Sequence, residues 1–209
     1  MTFAIENIRS DDPLLQARSV RFLQENPDPG VRLRPQEQLD LALNTGQGIA
    51  VQRDGEICAV SLVYQFDVPP NGPVHYEIGT MRVTAESYGL QTFLAKLHMV
   101  QIYLEDDATR GEIFAVVTPD TASERNMTVH AGMAPWTPPV TLELLRAVAG
   151  VPFNPSKSVL RADDAAIRRA FDDLRSMHES GTVFHAPKRG EKVDVSLGWF
   201  EPPLLGHGP

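Results

Sequence analysis

Residues 77–94 read EIGTMRVTAESYGLQTFL, and this stretch decides the fold. Its first part favours a β-strand, a tight loop with one glycine follows, and the apolar spacing after Gly89 predicts a long amphipathic helix. A loop that leads into a helix N-terminus presents unpaired backbone N–H groups, and the helix dipole adds to their attraction for an anion. The stretch therefore indicates a site for a phosphate-bearing cofactor.

The chain before this stretch predicts alternating strands and helices. Asp12 at a cap position and Pro13 at the first helical position mark the start of one helix. Asp54 and Gly55 tolerate the positive φ values of a two-residue hairpin turn, and the arm that follows is apolar on both faces, as in a central strand. The predicted strands cover 3–9, 48–52, 56–66 and 74–83, and the predicted helices cover 12–25 and 35–44.

The chain after this stretch continues the alternation. A helix is predicted from about residue 89 to about residue 105, a short apolar strand over 112–118, and a helix over 121–131 that Gly132 closes in a C-cap position. Residues 141–148 fit either a strand or a helical turn. The apolar spacing over 163–179 predicts an amphipathic helix, and a strand at 193–199 is expected to close the fold.

Composition limits the functional classes. The 209 residues fit one large domain or one domain with an extension. The formal net charge of −8 argues against nonspecific nucleic-acid binding and slightly favours a cationic substrate. Cys58 is the only cysteine, no apolar run approaches membrane-spanning length, and the histidines lack metal-ligand spacing. We therefore expect a cytoplasmic protein with no metal, no nucleic-acid partner and no membrane partner.

In this order of elements, the chain resembles the GNAT superfamily of acyl-CoA-dependent N-acetyltransferases over roughly residues 3–136. The resemblance implies an α/β (α+β) fold with a mixed, mainly antiparallel sheet flanked by helices. Residues 1–150 would form the acyltransferase domain, and 151–209 would form a C-terminal helix and strand extension packed on it. Acetyl-CoA or another acyl-CoA would bind as co-substrate in a slot between strands 74–83 and 112–118.

The resemblance also implies which residues contact the cofactor. The family's loop reads Arg or Gln, two residues, Gly, one residue, and then Gly or Ala. Gly89 matches this pattern in a register that puts Glu86 and Gln91 at its first and last positions. In the other register Tyr88 and Gly89 stand for the family's Arg-Gly, and Gln91 again replaces the glycine. The strand residues that would pair with pantetheine are Met81, Arg82 and Val83, and the backbone amides that would hold the pyrophosphate belong to Tyr88, Gly89, Leu90, Gln91 and Thr92.

Two residues are candidates for catalysis. Glu77 borders the slot and could accept a proton from the attacking ammonium, directly or through water, as glutamates on this strand do in some relatives; the alternative is a solvated or salt-bridged strand residue. His130 could act as base or acid near the acyl group, and the alternative is a surface histidine at a helix C-terminus. His75 can share a strand face with Glu77. Thr128 occupies the position of the family's usual tyrosine, four residues before Gly132.

Three functional hypotheses remain open at this stage. The first is an N-acetyltransferase in which an unidentified small-molecule or peptide amine attacks the thioester directly. The second is a catalytically inactive GNAT-like binding or structural protein, which the altered loop and Thr128 would suit. The third is an acyltransferase that uses a carrier-protein thioester and tolerates a weak pyrophosphate loop. A homodimer through the C-terminal extension is a further possibility.

Overall fold

Strands and helices alternate along the chain in the computed structural model, which describes residues 2–27, 33–67, 72–84, 89–105, 110–137, 156–180, 184–186 and 191–196. The strands are β1 (Thr2–Ile8), β2 (Gly48–Arg53), β3 (Glu56–Asp67), β4 (Val74–Val83), β5 (Arg110–Val117), β6 (Ala134–Pro135), β7 (Ser158–Ala162), β8 (Phe184–Ala186) and β9 (Glu191–Ser196). The helices are α1 (Pro13–Glu25), α2 (Gln36–Asn44), α3 (Leu90–Glu105), α4 (Ala122–Arg125) and α5 (Asp164–Ser180), and a π-helical turn covers Asn126–His130.

Within the described residues the strands form one sheet in the order β6-β7-β5-β4-β3-β2-β1-β9-β8. The pairs β4–β5 and β1–β9 are parallel, and the other pairs are antiparallel. The predicted mixed, mainly antiparallel sheet is therefore confirmed. Strand β7 lies inside this sheet, between β5 and β6, and the predicted domain division near residue 150 stays a prediction.

Local sequence signals set several turns and ends. Asp12 Oδ1 accepts a hydrogen bond of 2.9 Å from Leu15 N and caps α1. Asp54 and Gly55 have φ values of 51° and 87°, so the predicted hairpin turn between β2 and β3 is confirmed. Gly132 has a φ of 82° just beyond the π-helical turn, which suits the predicted C-cap.

Two apolar layers cover the two faces of the sheet. Helices α3 and α5 pack on one face around Phe93, Leu97 and Phe171. Helices α1 and α2 pack on the opposite face around Phe22 and Leu39. Strand β3 is buried along most of its length because it lies between β2 and β4 with helices on both sides, which confirms the predicted central strand. The sheet therefore has an α3/α5 face and an α1/α2 face.

The structure differs from the predicted helix over 121–131. Four residues of α4 are followed by a π-helical turn, in which Ala131 N donates to Asn126 O over 2.9 Å. Thr128 Oγ1 donates to Glu124 O over 2.9 Å, and such back-bonding bends helices. Strands β6, β7 and β8 were not predicted, and residues 141–148 lie outside the described residues.

His98 is a fully buried histidine between α3 and β3. Its Nε2 shares a hydrogen bond of 2.8 Å with Ser61 Oγ, and its Nδ1 is buried without a hydrogen-bond partner among the described residues. Burial lowers the pKa of His98 to about 3, because the charged ring would lose its hydration. The folded protein therefore holds this ring neutral.

Acid is expected to destabilise the fold through His98. A histidine whose pKa is depressed by folding contributes stability above its unfolded pKa of about 6.5 and loses it as the pH falls toward the folded value. Between pH 7 and pH 5 the loss from this one group is about 2 kcal/mol. Urea unfolding of the wild type and of His98→Gln, at both pH values, measures it. An equal loss of stability in the two proteins would contradict this assignment.

Candidate active site

The parallel strands β4 and β5 separate partway along their length. Their last register partners are Ile78 and Ala115, although β4 continues to Val83 and β5 continues to Val117. Beyond this point β5 stays paired on its other side with β7. The sheet therefore opens into a wedge between residues 79–83 and the end of β5.

A bulge redirects β4 at the start of this wedge. Gly79 faces Leu62 and Arg82 faces Val60, so Thr80 and the next residue of β4 stand opposite one residue of β3. Thr80 has a φ of 41°, which is uncommon for a residue other than glycine. Such a bulge bends the strand locally and leaves its extra residue out of the ladder with β3.

The predicted pantetheine residues line the far side of this bulge. The side chains of Met81 and Val83 are half-buried against the α3/α5 core, and Arg82 is buried. Their backbone lies along the part of β4 that has no register partner on β5 among the described residues. The predicted cofactor role of these three residues stays a prediction.

Helix α3 is the next element after β4 along the chain, and Gly89 stands just before its first residue. Gly89 has a φ of 91°, and its carbonyl accepts the first helical hydrogen bond of 3.1 Å from Phe93 N. The backbone N–H groups of Leu90, Gln91 and Thr92 belong to the first helical turn, where no acceptor within the helix exists. Residues 85–88, which include the predicted pyrophosphate residue Tyr88 and also Glu86, lie outside the described residues.

The side chain of Gln91 ties α3 to α4. Its Nε2 donates to Ser123 Oγ over 2.9 Å, and its Oε1 accepts from Asn126 Nδ2 over 2.7 Å. The amide nitrogen and the amide oxygen of Gln91 thus both bond to side chains of α4 and the π-helical turn that follows it. Gln91, which stands where the family has Gly or Ala, therefore links the two helices that follow β4 and β5.

Glu77 stands one residue before the point where the strands separate. Its register partners are Tyr64 on β3 and Phe114 on β5, and its carboxylate lies on the α1/α2 face. Arg34 Nη2 donates to Glu77 Oε2 over 2.8 Å, and the two side chains are 10% and 3% exposed. The carboxylate is therefore a buried, charge-paired group at the apex of the wedge.

Two hydroxyl groups adjoin this ion pair. Tyr64 Oη and Thr80 Oγ1 share a hydrogen bond of 2.5 Å, and the tyrosine ring packs over Gly79. Burial raises the pKa of Tyr64 to about 12, against smaller opposing effects of the Thr80 hydrogen bond and the Arg34 charge, and the Glu77 charge adds to the rise. Tyr64 therefore stays a neutral hydrogen-bonding group at the bulge.

The histidine candidates lie elsewhere. His75 Nδ1 accepts a hydrogen bond of 3.1 Å from Glu112 N, so its ring is directed at the start of β5, and burial lowers its pKa. His130 is exposed at the end of the π-helical turn, and its predicted catalytic role stays a prediction. Thr128, at the position of the family's usual tyrosine, donates its hydroxyl hydrogen bond to the backbone of α4.

Sequence reasoning missed Arg34, Tyr64 and Thr80. Arg34 precedes α2 and is 43 residues from Glu77, so no local periodicity connects the pair. One available signal was Gly79, because a glycine inside a strand pattern often marks a bulge or a close approach. An alternation count alone could not place Tyr64 beside Glu77, since it requires the register between β3 and β4.

Two further features concern the part of the chain that the structure describes. There, no group of three His, Cys, Asp or Glu side chains is arranged to hold a metal ion. None of the helices described has both the length and the apolar character that crossing a bilayer requires.

Comparison with known proteins identifies the fold. No protein-family model matches the chain, and no curated protein matches it significantly. Arabidopsis thaliana Naa50 in complex with the bisubstrate analogue CoA-Ac-MVNAL superposes with a TM-score of 0.54 at 14% identity, over 78% of this chain and 99% of that chain. The NatC complex bound to Gag peptide and CoA gives a TM-score of 0.55 at 9% identity, over 77% and 96%. The GNAT domain of S. lividans PAT gives 0.51 at 17% identity, over 76% and 89%.

These similarities show that the chain has a GNAT-like fold. The family resemblance inferred from the order of strands and helices is thus confirmed at the level of the fold.

Proposed function

We propose that this protein is an acyl-CoA-dependent N-acyltransferase that transfers an acetyl group from acetyl-CoA to an amine by direct attack. The observation that carries the proposal is the wedge between β4 and β5, which opens one residue beyond Glu77 on the strand that precedes α3. The wedge offers room for an extended arm, the helix N-terminus suits a phosphate group, and Glu77 supplies a carboxylate at the apex.

The residues along the wedge fit a CoA thioester. Backbone groups of residues 79–83 have no register partner on β5 among the described residues, so an extended pantetheine arm can pair with them as a strand would. The first-turn N–H groups after Gly89 suit the pyrophosphate. Acetyl-CoA, when bound, supplies the activated acyl group.

Glu77 would accept the proton of the incoming ammonium. The amine nitrogen then attacks the thioester carbonyl carbon, a C–N bond forms, and the C–S bond breaks. The second nitrogen proton, released as the amide forms, neutralises the departing CoA thiolate. A carboxylate within reach of the amine, directly or through one water, is the group that this sequence of steps requires.

The leaving thiolate lacks the family's usual tyrosine. Thr128 donates its hydroxyl to Glu124 O, and Tyr64, whose pKa is raised to about 12, would give up its proton reluctantly. Tyr64 and Thr80 share one hydrogen bond, so the hydroxyl that accepts it keeps its own proton free to donate a hydrogen bond near the acyl carbonyl. His130 stays the predicted base or acid near the acyl group.

Calorimetric titration tests cofactor binding. We expect acetyl-CoA and CoA to bind with micromolar affinity, and Gly89→Ala to weaken binding about tenfold, because alanine strains a positive φ at the helix N-terminus. Gly55→Ala is the matched control, since Gly55 has a similar φ of 87° in the hairpin turn between β2 and β3. Absence of heat at millimolar acetyl-CoA and CoA would contradict the proposed function.

Assays with two donors separate the remaining hypotheses. Acetyl-CoA and an acetyl-loaded carrier protein are offered side by side to a panel of amines. Transfer from acetyl-CoA supports the proposal, and transfer from the carrier protein alone favours the carrier-dependent enzyme. Cofactor binding without transfer from either donor favours an inactive binding protein.

A further inference from the structure

Arg34 is fixed over the apex of the wedge by three contacts. Its Nη2 donates to Glu77 Oε2 over 2.8 Å, its Nη1 donates to Gln38 Oε1 over 3.3 Å, and its guanidinium lies 4.3 Å from the centroid of the Tyr64 ring. The side chain is only 10% exposed. A guanidinium held in this way has a set plane and a set direction for its remaining N–H groups.

The ion pair changes what kind of amine suits the site. The carboxylate of Glu77 alone would attract a cation, but Arg34 already balances its charge. A simple alkylammonium would bring an uncompensated positive charge beside a buried guanidinium, which is costly in a poorly hydrated site. A ligand that carries one positive and one negative group adds no net charge.

The spacing of the pair matches such a ligand. Arg34 Nη2 and Glu77 Oε2 are 2.8 Å apart. The ammonium nitrogen and the nearer carboxylate oxygen of an α-amino acid are about 3 Å apart, because two bonds of standard length and the carboxyl C–O bond separate them. When the zwitterion lies beside the ion pair, its ammonium contacts the carboxylate of Glu77 and its carboxylate contacts the guanidinium of Arg34.

We propose that the acyl acceptor is an α-amino acid, whose carboxylate Arg34 binds and whose ammonium Glu77 deprotonates. This proposal rests on the proposed acyl transfer. Arginine suits the role because its planar fork donates two parallel hydrogen bonds to a carboxylate. The N-terminal amine of a peptide, or the amine of a polyamine, has no carboxylate next to it. Such a substrate therefore offers Arg34 no anionic group to bind.

The reaction on this acceptor balances without any further reagent. The ammonium gives one proton to Glu77, and the amine nitrogen forms an amide bond with the acetyl carbon as the C–S bond breaks. The second nitrogen proton ends on the CoA sulfur. The substrate carboxylate stays ionised on Arg34 throughout, so the products are an N-acetyl amino acid and CoA.

The test compares acceptors that differ only in the carboxylate. Each common α-amino acid is assayed beside its carboxamide, its decarboxylated amine and a dipeptide with the same first residue. We expect at least one amino acid to be acetylated with a kcat/KM about 20-fold or more above its three analogues, as loss of a charge-assisted pair predicts. Binding of that amino acid, measured by calorimetry in the presence of CoA, provides a readout besides turnover.

Variants of Arg34 make the test specific. Arg34→Gln is expected to lower kcat/KM for the amino acid about 20-fold and to raise kcat/KM for the decarboxylated amine, because the guanidinium that opposes the ammonium charge is gone, so the preference disappears. Arg34→Lys keeps the charge and should restore part of the preference. If Arg34 were merely structural, Arg34→Gln would instead lower kcat/KM for all acceptors by the same factor.

The outcomes separate this inference from the proposed function. Absence of acetyl-CoA binding removes the proposed function itself. Binding of acetyl-CoA together with equal or better transfer to amides, amines or dipeptides overturns the amino-acid assignment and leaves the acyltransferase intact. Binding of acetyl-CoA with no transfer to any amino acid overturns it as well. The wild-type comparison gives these answers even where an Arg34 variant folds poorly.

Discussion

Replacing Glu77 with glutamine is expected to lower kcat for acetyl transfer about 100-fold or more and to leave acetyl-CoA binding within about twofold. The amide cannot accept the ammonium proton, yet its oxygen can still accept the hydrogen bond that Arg34 Nη2 now donates over 2.8 Å. Because the Glu77 side chain is 3% exposed, bulk solvent is a poor substitute for the base. Thiol-release kinetics with the preferred amine, together with calorimetry for acetyl-CoA, measure the two quantities.

A second carboxylate on a neighbouring strand provides the control. Glu112 on β5 is half-exposed and pairs with Arg161 over 3.6 Å. Glu112→Gln removes a charge from the same sheet but no proposed proton acceptor, so kcat should stay within about twofold. If Glu77→Gln retains most of the wild-type kcat while acetyl-CoA still binds, Glu77 is a structural ion-pair residue and the base lies elsewhere.

Local chemistry was sufficient to predict most of the fold. The Asp54-Gly55 turn adopts the positive φ values that its residue types tolerate, and the continuous apolar run of β3 identified a central strand. Asp12 caps α1 as its position indicated. By contrast, the five residues of β7 were not predicted, because so short a segment with Arg161 inside it has no clear period.

The site was less predictable than the fold because its geometry depends on long-range register. The family resemblance placed Glu77 on the strand that borders the slot, and its catalytic role stays a prediction. Its ion pair with Arg34, its register with Tyr64 and the bulge at Thr80 each join segments that are distant in sequence. The proposed acceptor also differs from the one that the acidic composition favoured, since that composition favoured a simple cation whereas the proposal is a zwitterion.

Removing only one partner of the Arg34–Glu77 ion pair is expected to destabilise the folded protein strongly. Arg34→Leu should lower the free energy of unfolding by about 3–5 kcal/mol, because it leaves a buried carboxylate without its guanidinium. Glu77→Leu should cost less, since Arg34 lies in the loop before α2 and can extend its head group toward water. Urea unfolding at pH 7 measures each change.

The double variant distinguishes a charge pair from two independent packing residues. Arg34→Leu combined with Glu77→Leu replaces both charges with apolar groups, so it should lose less stability than the sum of the single variants, with a coupling energy of about 2–4 kcal/mol. The exposed pair of Arg21 and Glu25, whose atoms are 2.7 Å apart, is the matched control. Solvent screens that pair, so Arg21→Leu should cause no measurable change. Additive losses at Arg34 and Glu77 would mean that each side chain stabilises the loop before α2 by packing, and that the buried charges are neutralised by other groups.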